Sequence, residues 1–193
     1  MNPLSLAKQG SLLHPTTPLV QEAHNLLVDS GYELVGYHGT NQRAVRGILI
    51  NGFDPTFAGS SAGLARGPGL YVARHFTMAA DFADTATQAG EPDLRGNIPR
   101  RQGLGGQQAV MRVYALHFSA MQEGTHYVWG RMGGTAIAGA GVVNNLAEQE
   151  IVIRPRSFGS LVGIPTTLAI EQALRGMASP STRPSLRLHE APF

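Results

Sequence analysis

The chain has 193 residues, a net charge of +2 and no cysteine; 42% of it is hydrophobic and 15% charged. Such a length suits one domain with a sizeable core, and the apolar share argues against global disorder. Without cysteine there is no disulfide framework, Cys-based zinc site or thiol nucleophile, and so small a charge does not imply a nucleic-acid or membrane partner.

Residues 1–17, with two prolines and no periodicity, read as a flexible N-terminal lead-in. From Pro18, Leu19, Ala23, Leu26 and Leu27 recur at helical spacing, and Gly31 stops the helix. Tyr32–Tyr37 is a β-rich run ending at His38-Gly39. Asn41 then caps a second helix carrying Ala44, Val45, Ile48 and Leu49, which ends at Asn51-Gly52. Residues 54–69 are rich in Gly, Ser, Ala and Pro and read as a mobile loop. Leu70–Ala73 is a short strand, and Thr77–Ala89 a helix with Ala79, Ala80, Phe82 and Ala83 on its apolar side.

A second long loop, Gly90–Gln108, carries Glu91, Asp93, Arg95, Arg100 and Arg101. Ala109–Phe118 is a strand, and the Gly/Ala-rich 130–141 stretch reads as irregular. Glu150–Ile153 and Ser160–Pro165 are two further strands, followed by a helix at 167–176 and a loose C-terminal tail over 178–193. The catalytic unit is expected over 18–177. Because the elements do not alternate βαβα, the pattern predicts an α+β fold with mainly antiparallel strands. Loops as long as 54–69 and 90–108 are more often functional than connecting.

Three places carry candidate chemistry. His38 lies at a strand end beside Gly39 and Thr40; the glycine admits a ligand close to the backbone, and the imidazole suits a ribose hydroxyl. Tyr71 in GLYVA and Phe82 on the next helix are either core aromatics or the two sides of a slot for a flat ring. Glu150 in AEQEIVIRP shares a strand face with Glu148. That pair is either a solvent-facing edge or a carboxylate aimed at developing positive charge. There is no HExxH, no GxGxxG between a strand and a helix, and no nucleophile elbow at GSSAG.

Together VGYHGT, GLYVA with its following aromatic, GEPDLRGNIPRRQG, MRVYALHF and EQEIVIRP, in this order, resemble the diphtheria-type mono-ADP-ribosyltransferases over residues 19–165. The resemblance implies an ADP-ribosyltransferase fold of two packed, mainly antiparallel sheets that form an NAD cleft, with flanking helices. It implies that NAD+ is the substrate, with no metal. It gives His38 the adenosine ribose, Gly39 (with Thr40 beside it) the nicotinamide carboxamide, and Tyr71 and Phe82 the two faces of the nicotinamide ring. Glu150 becomes the catalytic glutamate and Glu148 a subsidiary one, with Arg95, Arg100 and Arg101 facing the acceptor.

Phe82 departs from the family's usual Tyr, which keeps the ring and loses the hydroxyl. Sliding the alignment would put Gly139 at the catalytic position, but only Glu150 with Ile164-Pro165 downstream keeps the family spacing without gaps. EPDLRG favours the diphthamide of eukaryotic elongation factor 2 as acceptor. The sequence holds no receptor-binding or translocation part, which favours an effector module, alternatively an antibacterial one that modifies another protein or a structured RNA and has a cognate immunity protein. Either would be secreted or injected and act in a target-cell cytosol. A degenerate module that only binds NAD or a partner is the alternative of another class.

Overall fold

The computed structural model describes residues 3–58, 67–87, 107–131 and 149–177. The first helix, α1 (Leu6–Ser11), opens on Ser5, whose side chain accepts from the Lys8 amide. The expected flexible lead-in is therefore corrected over its described part. Leu4 and Leu12 are buried in the main core, and Lys8 pairs with Glu22 of the next helix. Two leucines just outside a six-residue helix leave no periodicity within it, so the sequence pattern is blind to this anchor.

Helix α2 (Thr17–Asp29) buries Val20, Ala23 and Leu27, and leads to strand β1 (Tyr32–Asn41). This strand runs four residues beyond the predicted end, through His38, Gly39 and Thr40. Helix α3 (Gln42–Asn51) starts where Asn41 accepts from the Ala44 amide and stops at Gly52, whose φ of 79° is left-handed. A 3-10 turn at Pro55–Phe57 follows.

Strand β2 (Leu70–Ala73), helix α4 (Phe76–Thr87) and strand β3 (Gln108–Leu116) lie within a residue or two of their predicted positions. So do β5 (Gln149–Ile153), β6 (Leu161–Thr166) and α5 (Leu168–Met177). Strand β4 (Tyr127–Arg131) is, with α1, an element the sequence reading missed. Its YVWGR run is short and merges into a Gly/Ala-rich stretch that lies largely outside the described residues, as does most of each long loop.

The strands form one antiparallel sheet in the order β4-β5-β2-β1-β3-β6. The α+β reading with antiparallel strands is right; two separate sheets are not what the described residues form. The sheet instead has two three-stranded halves. Within each half the strands pair over several residues, whereas β1 and β2 share a single registered pair, Tyr37 opposite Ala73. Gly36 makes that junction feasible, because a Cβ there would stand 2.4 Å from the Ala73 carbonyl oxygen.

Cross-strand partners share a face of the sheet. The registers therefore align Gly130, Glu150, Ala73, Tyr37, Arg112 and Ile164 in one row across all six strands. This face carries α2, α4 and α5. Ile151, Ile153, Leu70, Val72, Val113 and Leu161 project to the opposite face, into a cluster with Phe53 and Phe158.

Candidate active site

The site residues gather where the two halves of the sheet part. Beyond Tyr37, β1 remains paired to β3 through Asn41, while His38–Asn41 have no registered partner on β2. In an antiparallel ladder alternate residues turn their N–H and C=O groups to alternate sides. The end of β1 thus turns backbone polar groups to the side that β2 leaves unpaired among the described residues.

His38 lies at this opening but points to the face opposite Tyr37, where its ring meets Phe53 edge-on with centroids 6.4 Å apart. Its Nδ1 lies 3.0 Å from the Tyr71 carbonyl oxygen. A carbonyl only accepts, so Nδ1 carries the proton and donates. Burial lowers the His38 pKa, outweighing the rise that this hydrogen bond contributes, and so favours the neutral ring. The remaining nitrogen, Nε2, is then an acceptor. The ring therefore suits a hydroxyl that donates to it.

Tyr71 and Glu150 lie on neighbouring strands. Ala73 is opposite Glu150 and Tyr71 opposite Val152, so Tyr71 and Glu150 are diagonal neighbours on the helix-bearing face. The Tyr71 hydroxyl donates to the Gly67 carbonyl at 3.1 Å, which ties the ring to the chain entering β2. Glu150 is only 6% exposed, and its strand has β4 on one side and β2 on the other. The solvent-facing edge reading of this carboxylate is thereby removed.

Gly39 answers to a different neighbour than expected. A Cβ on it would stand 1.8 Å from the Ala79 carbonyl oxygen and 2.6 Å from the Ala83 nitrogen. The glycine lets α4 lie directly on β1, so the helix backbone, and not a ligand alone, requires it. Thr40 next to it is buried.

The helix orientation follows from its flanks. Phe76, Ala80 and Ala83 line a cavity of about 240 Å³ with Ala109, Val110 and Thr166, so this flank faces β3 and β6. At 3.6 residues per turn, Phe82 stands on the other flank, towards β2 and β5. It is partly buried against Ala79, Ala83 and their neighbours. Tyr71, Glu150, Gly39 and Phe82 thus belong to one face of the sheet and one side of α4. Glu148, Arg95, Arg100, Arg101 and Gly139 lie outside the described residues.

Sequence reasoning missed a buried polar network beside this site. Arg112 donates from Nε to Glu171 Oε1 at 2.7 Å and from Nη2 to Oε2 at 2.9 Å. Thr166 donates to Oε1 and Tyr37 to Oε2, each at 2.7 Å. Burial tends to raise the Glu171 pKa, but these hydrogen bonds and the Arg112 charge outweigh it and lower the value. Arg112 Nη1 also donates to the Tyr114 hydroxyl at 3.3 Å, and His24 Nδ1 lies 2.9 Å from the same oxygen. Removing one member of such a buried ion pair costs about 3–5 kcal/mol. An arginine inside the apolar run AVMRVYAL was the available signal for it.

Among the described residues, no group of three or more His, Asp or Glu is placed to hold a metal ion. No helix among them is long and apolar enough to cross a membrane. The chain matches no protein-family model. Exotoxin A of Pseudomonas aeruginosa is 36% identical to it over 99 residues. That alignment covers 51% of this chain and 13% of the toxin, so the similarity reaches about half of the one and a small part of the other.

Proposed function

We propose that this chain is a mono-ADP-ribosyltransferase that cleaves NAD+ and transfers ADP-ribose to a macromolecular acceptor. The observation that carries the reading is the parting of β1 from β2, with His38 reaching across it while Tyr71 and Glu150 share the adjoining face. The partial similarity to a toxin points the same way.

In this reading, His38 Nε2 accepts from an adenosine-ribose hydroxyl, and the Gly39 backbone, beside Thr40, pairs with the nicotinamide carboxamide. Tyr71 and Phe82 bracket the nicotinamide ring, a geometry in which stacking adds ~0.5–1.5 kcal/mol beyond burial. The bond from ribose C1′ to the nicotinamide nitrogen breaks, and its electron pair leaves with neutral nicotinamide. The ribose is left oxocarbenium-like and cationic. Glu150 accepts from the 2′-hydroxyl, and its carboxylate opposes the developing charge from a pre-set position, which lowers the barrier without reorganisation. A nucleophile of the acceptor bonds to C1′ and loses its proton; water in that place gives free ADP-ribose. Glu148 serves transfer more than cleavage.

Diphthamide of elongation factor 2 is the first acceptor to test, on the strength of EPDLRG alone. The experiment is nicotinamide release from NAD+ by the purified chain, followed by labelled NAD+ added to eukaryotic and bacterial lysates with and without RNase. Nicotinamide release together with a labelled macromolecule supports transfer. Binding of NAD+ without release would leave a non-catalytic module and overturn the proposal.

A further inference from the structure

We propose that a cavity at the start of β1 and β6 docks an acidic segment of a partner protein, which inserts one aromatic side chain carrying an N–H donor. Docking here requires no NAD+ chemistry. The cavity measures about 240 Å³ and takes its walls from Gln9 of α1, Tyr32 of β1, Ile50 of α3, Phe53, and Phe158 of a 3-10 turn at Pro155–Ser160. Tyr32 opens β1, whereas His38–Asn41 close it, and Glu150 belongs to the other half of the sheet. Phe53 stands between the two places, its ring edge-on to those of both Phe158 and His38.

The mouth of the cavity is apolar. Among the described residues the most exposed large apolar side chains are Leu6 at 75%, Phe57 at 70%, Met177 at 63% and Ile50 at 62%. Three of these four belong to the rim. Ile50 lines the cavity, Leu6 is one turn before Gln9 on α1, and Phe57 sits in the turn that packs beside Pro155–Ser160. Scattered apolar residues on a surface need no explanation, but several around one hollow mark an interaction site. A pocket sized for one large side chain is where binding energy concentrates.

The wall also holds a polar atom without a partner. Gln9 is 7% exposed; its Nε2 donates to the Leu4 carbonyl at 2.8 Å, and no group among the described residues donates to its Oε1. Buried acceptors are nearly always paired, so this one suits a donor brought from outside. With Tyr32, Phe53 and Phe158 around it, the matching group is an aromatic ring with an N–H on its edge, which among protein side chains is the indole of Trp.

The charge at the mouth selects what flanks that ring. Arg43 and Arg46 share the outer face of α3 with Ile50, and Arg156 lies in the turn that supplies Phe158; all three are exposed. None of them is paired with an acid among the described residues. The acids of the same surroundings are engaged, Asp54 by Thr56 and Glu33 by Ser119. Asp or Glu on either side of the Trp therefore meets unpaired positive charge, which steers encounter and fixes the sign of the partner.

The probe is a fluorescein-labelled peptide with one Trp between two runs of Asp and Glu, titrated against the whole chain by anisotropy. It should bind, and Ala in place of its Trp should weaken binding at least ~tenfold. A benzothiophene in place of the indole keeps the ring size and loses the N–H, which should cost ~fivefold; this preference should vanish in Gln9→Met. Ile50→Asp, and Arg43→Glu with Arg46→Glu, should each weaken binding at least ~tenfold at an unchanged melting temperature, because these side chains are exposed. Both keep the test open should Gln9→Met fail to fold. An acidic Trp peptide that does not bind, equal binding by Ile50→Asp, or an indole preference that survives Gln9→Met overturns the inference. So does a chain whose sedimentation shows a dimer that Ile50→Asp dissolves, since a second copy then covers this face. Tighter binding of a labelled single-stranded oligonucleotide than of the peptide, lost in the arginine variant, would assign the rim to nucleic acid and equally overturn it.

Discussion

Glu150 is a buried carboxylate on an inner strand, and its neighbours Ile151 and Ile153 are pressed into the opposite face. Replacing it by Gln keeps the shape and removes the charge, so the loss should fall on the transition state. Glu150→Gln should lower nicotinamide release by at least ~10²–10³, with NAD+ affinity within a few-fold. Activity within about tenfold of wild type would shift the catalytic role to Glu148. Under the proposed function Tyr71 would have two separable parts, a ring for stacking and the hydroxyl that donates to the Gly67 carbonyl. Tyr71→Phe should retain NAD+ binding, while Tyr71→Ala should weaken it by a factor of about ten or more, the size of a stacking pair plus lost burial. Calorimetry on the folded variants checks this, and normal binding by Tyr71→Ala would reduce both aromatics to core residues.

At the scale of elements, the contact between α4 and β1 governs the site. Gly39→Ala drives a methyl group into the Ala79 carbonyl, and no side-chain rotation can relieve a clash with backbone. The helix must lift, taking Phe82 with it. Gly39→Ala should therefore lower both the melting temperature and NAD+ affinity, whereas Phe82→Tyr, which moves no backbone, should leave both near wild type. If Gly39→Ala melts normally, the helix does not lie where it is described. Much of this arrangement was legible beforehand. Asn41 and Gly52 bound α3 as their capping chemistry requires, and the alternation in EIVI placed Glu150 against its isoleucines. Other features were hidden for physical reasons. Gly39 reads alike whether a ligand or a helix presses on it, because both need only the absence of a Cβ. Glu171 looked like an ordinary helix carboxylate, since of its partners only Thr166 is near in sequence, while Arg112 and Tyr37 lie 59 and 134 residues away.

For the molecule as a whole, two half-buried histidines shape the response to acid. Burial, and then the Arg112 charge, lower the His24 pKa; burial also lowers that of His38. A folded value below the ordinary 6.5 means that the unfolded chain binds protons first. Stability contributed by the neutral rings is complete above that value and declines as pH falls through 6.5 towards the folded values. Glu171, whose pKa is depressed, adds a second loss at lower pH, as the medium drops below its ordinary 4.5. The urea midpoint should thus fall between about pH 7.5 and pH 5.5, and His24→Asn, which keeps an acceptor for the Tyr114 hydroxyl but cannot titrate, should reduce that fall. An unchanged slope in His24→Asn would remove His24 from the acid response.

The spatial order of the strands has a kinetic consequence. The chain begins in one half of the sheet with β1, crosses to the other for β2, returns for β3, leaves again for β4 and β5, and returns for β6. Neither half is a contiguous stretch of sequence: the half of β2, β4 and β5 is complete at Ile153, whereas the half of β1, β3 and β6 must wait for Thr166. Tyr71 must wait for Val152, and Tyr37 for Glu171. Pairings of such long range make for slow folding. A ribosome-bound chain lacking its last described helix therefore has its motifs but not the bond from Tyr37 to Glu171, and the NAD+ cleavage proposed above should emerge only after residue 177 has left the exit tunnel.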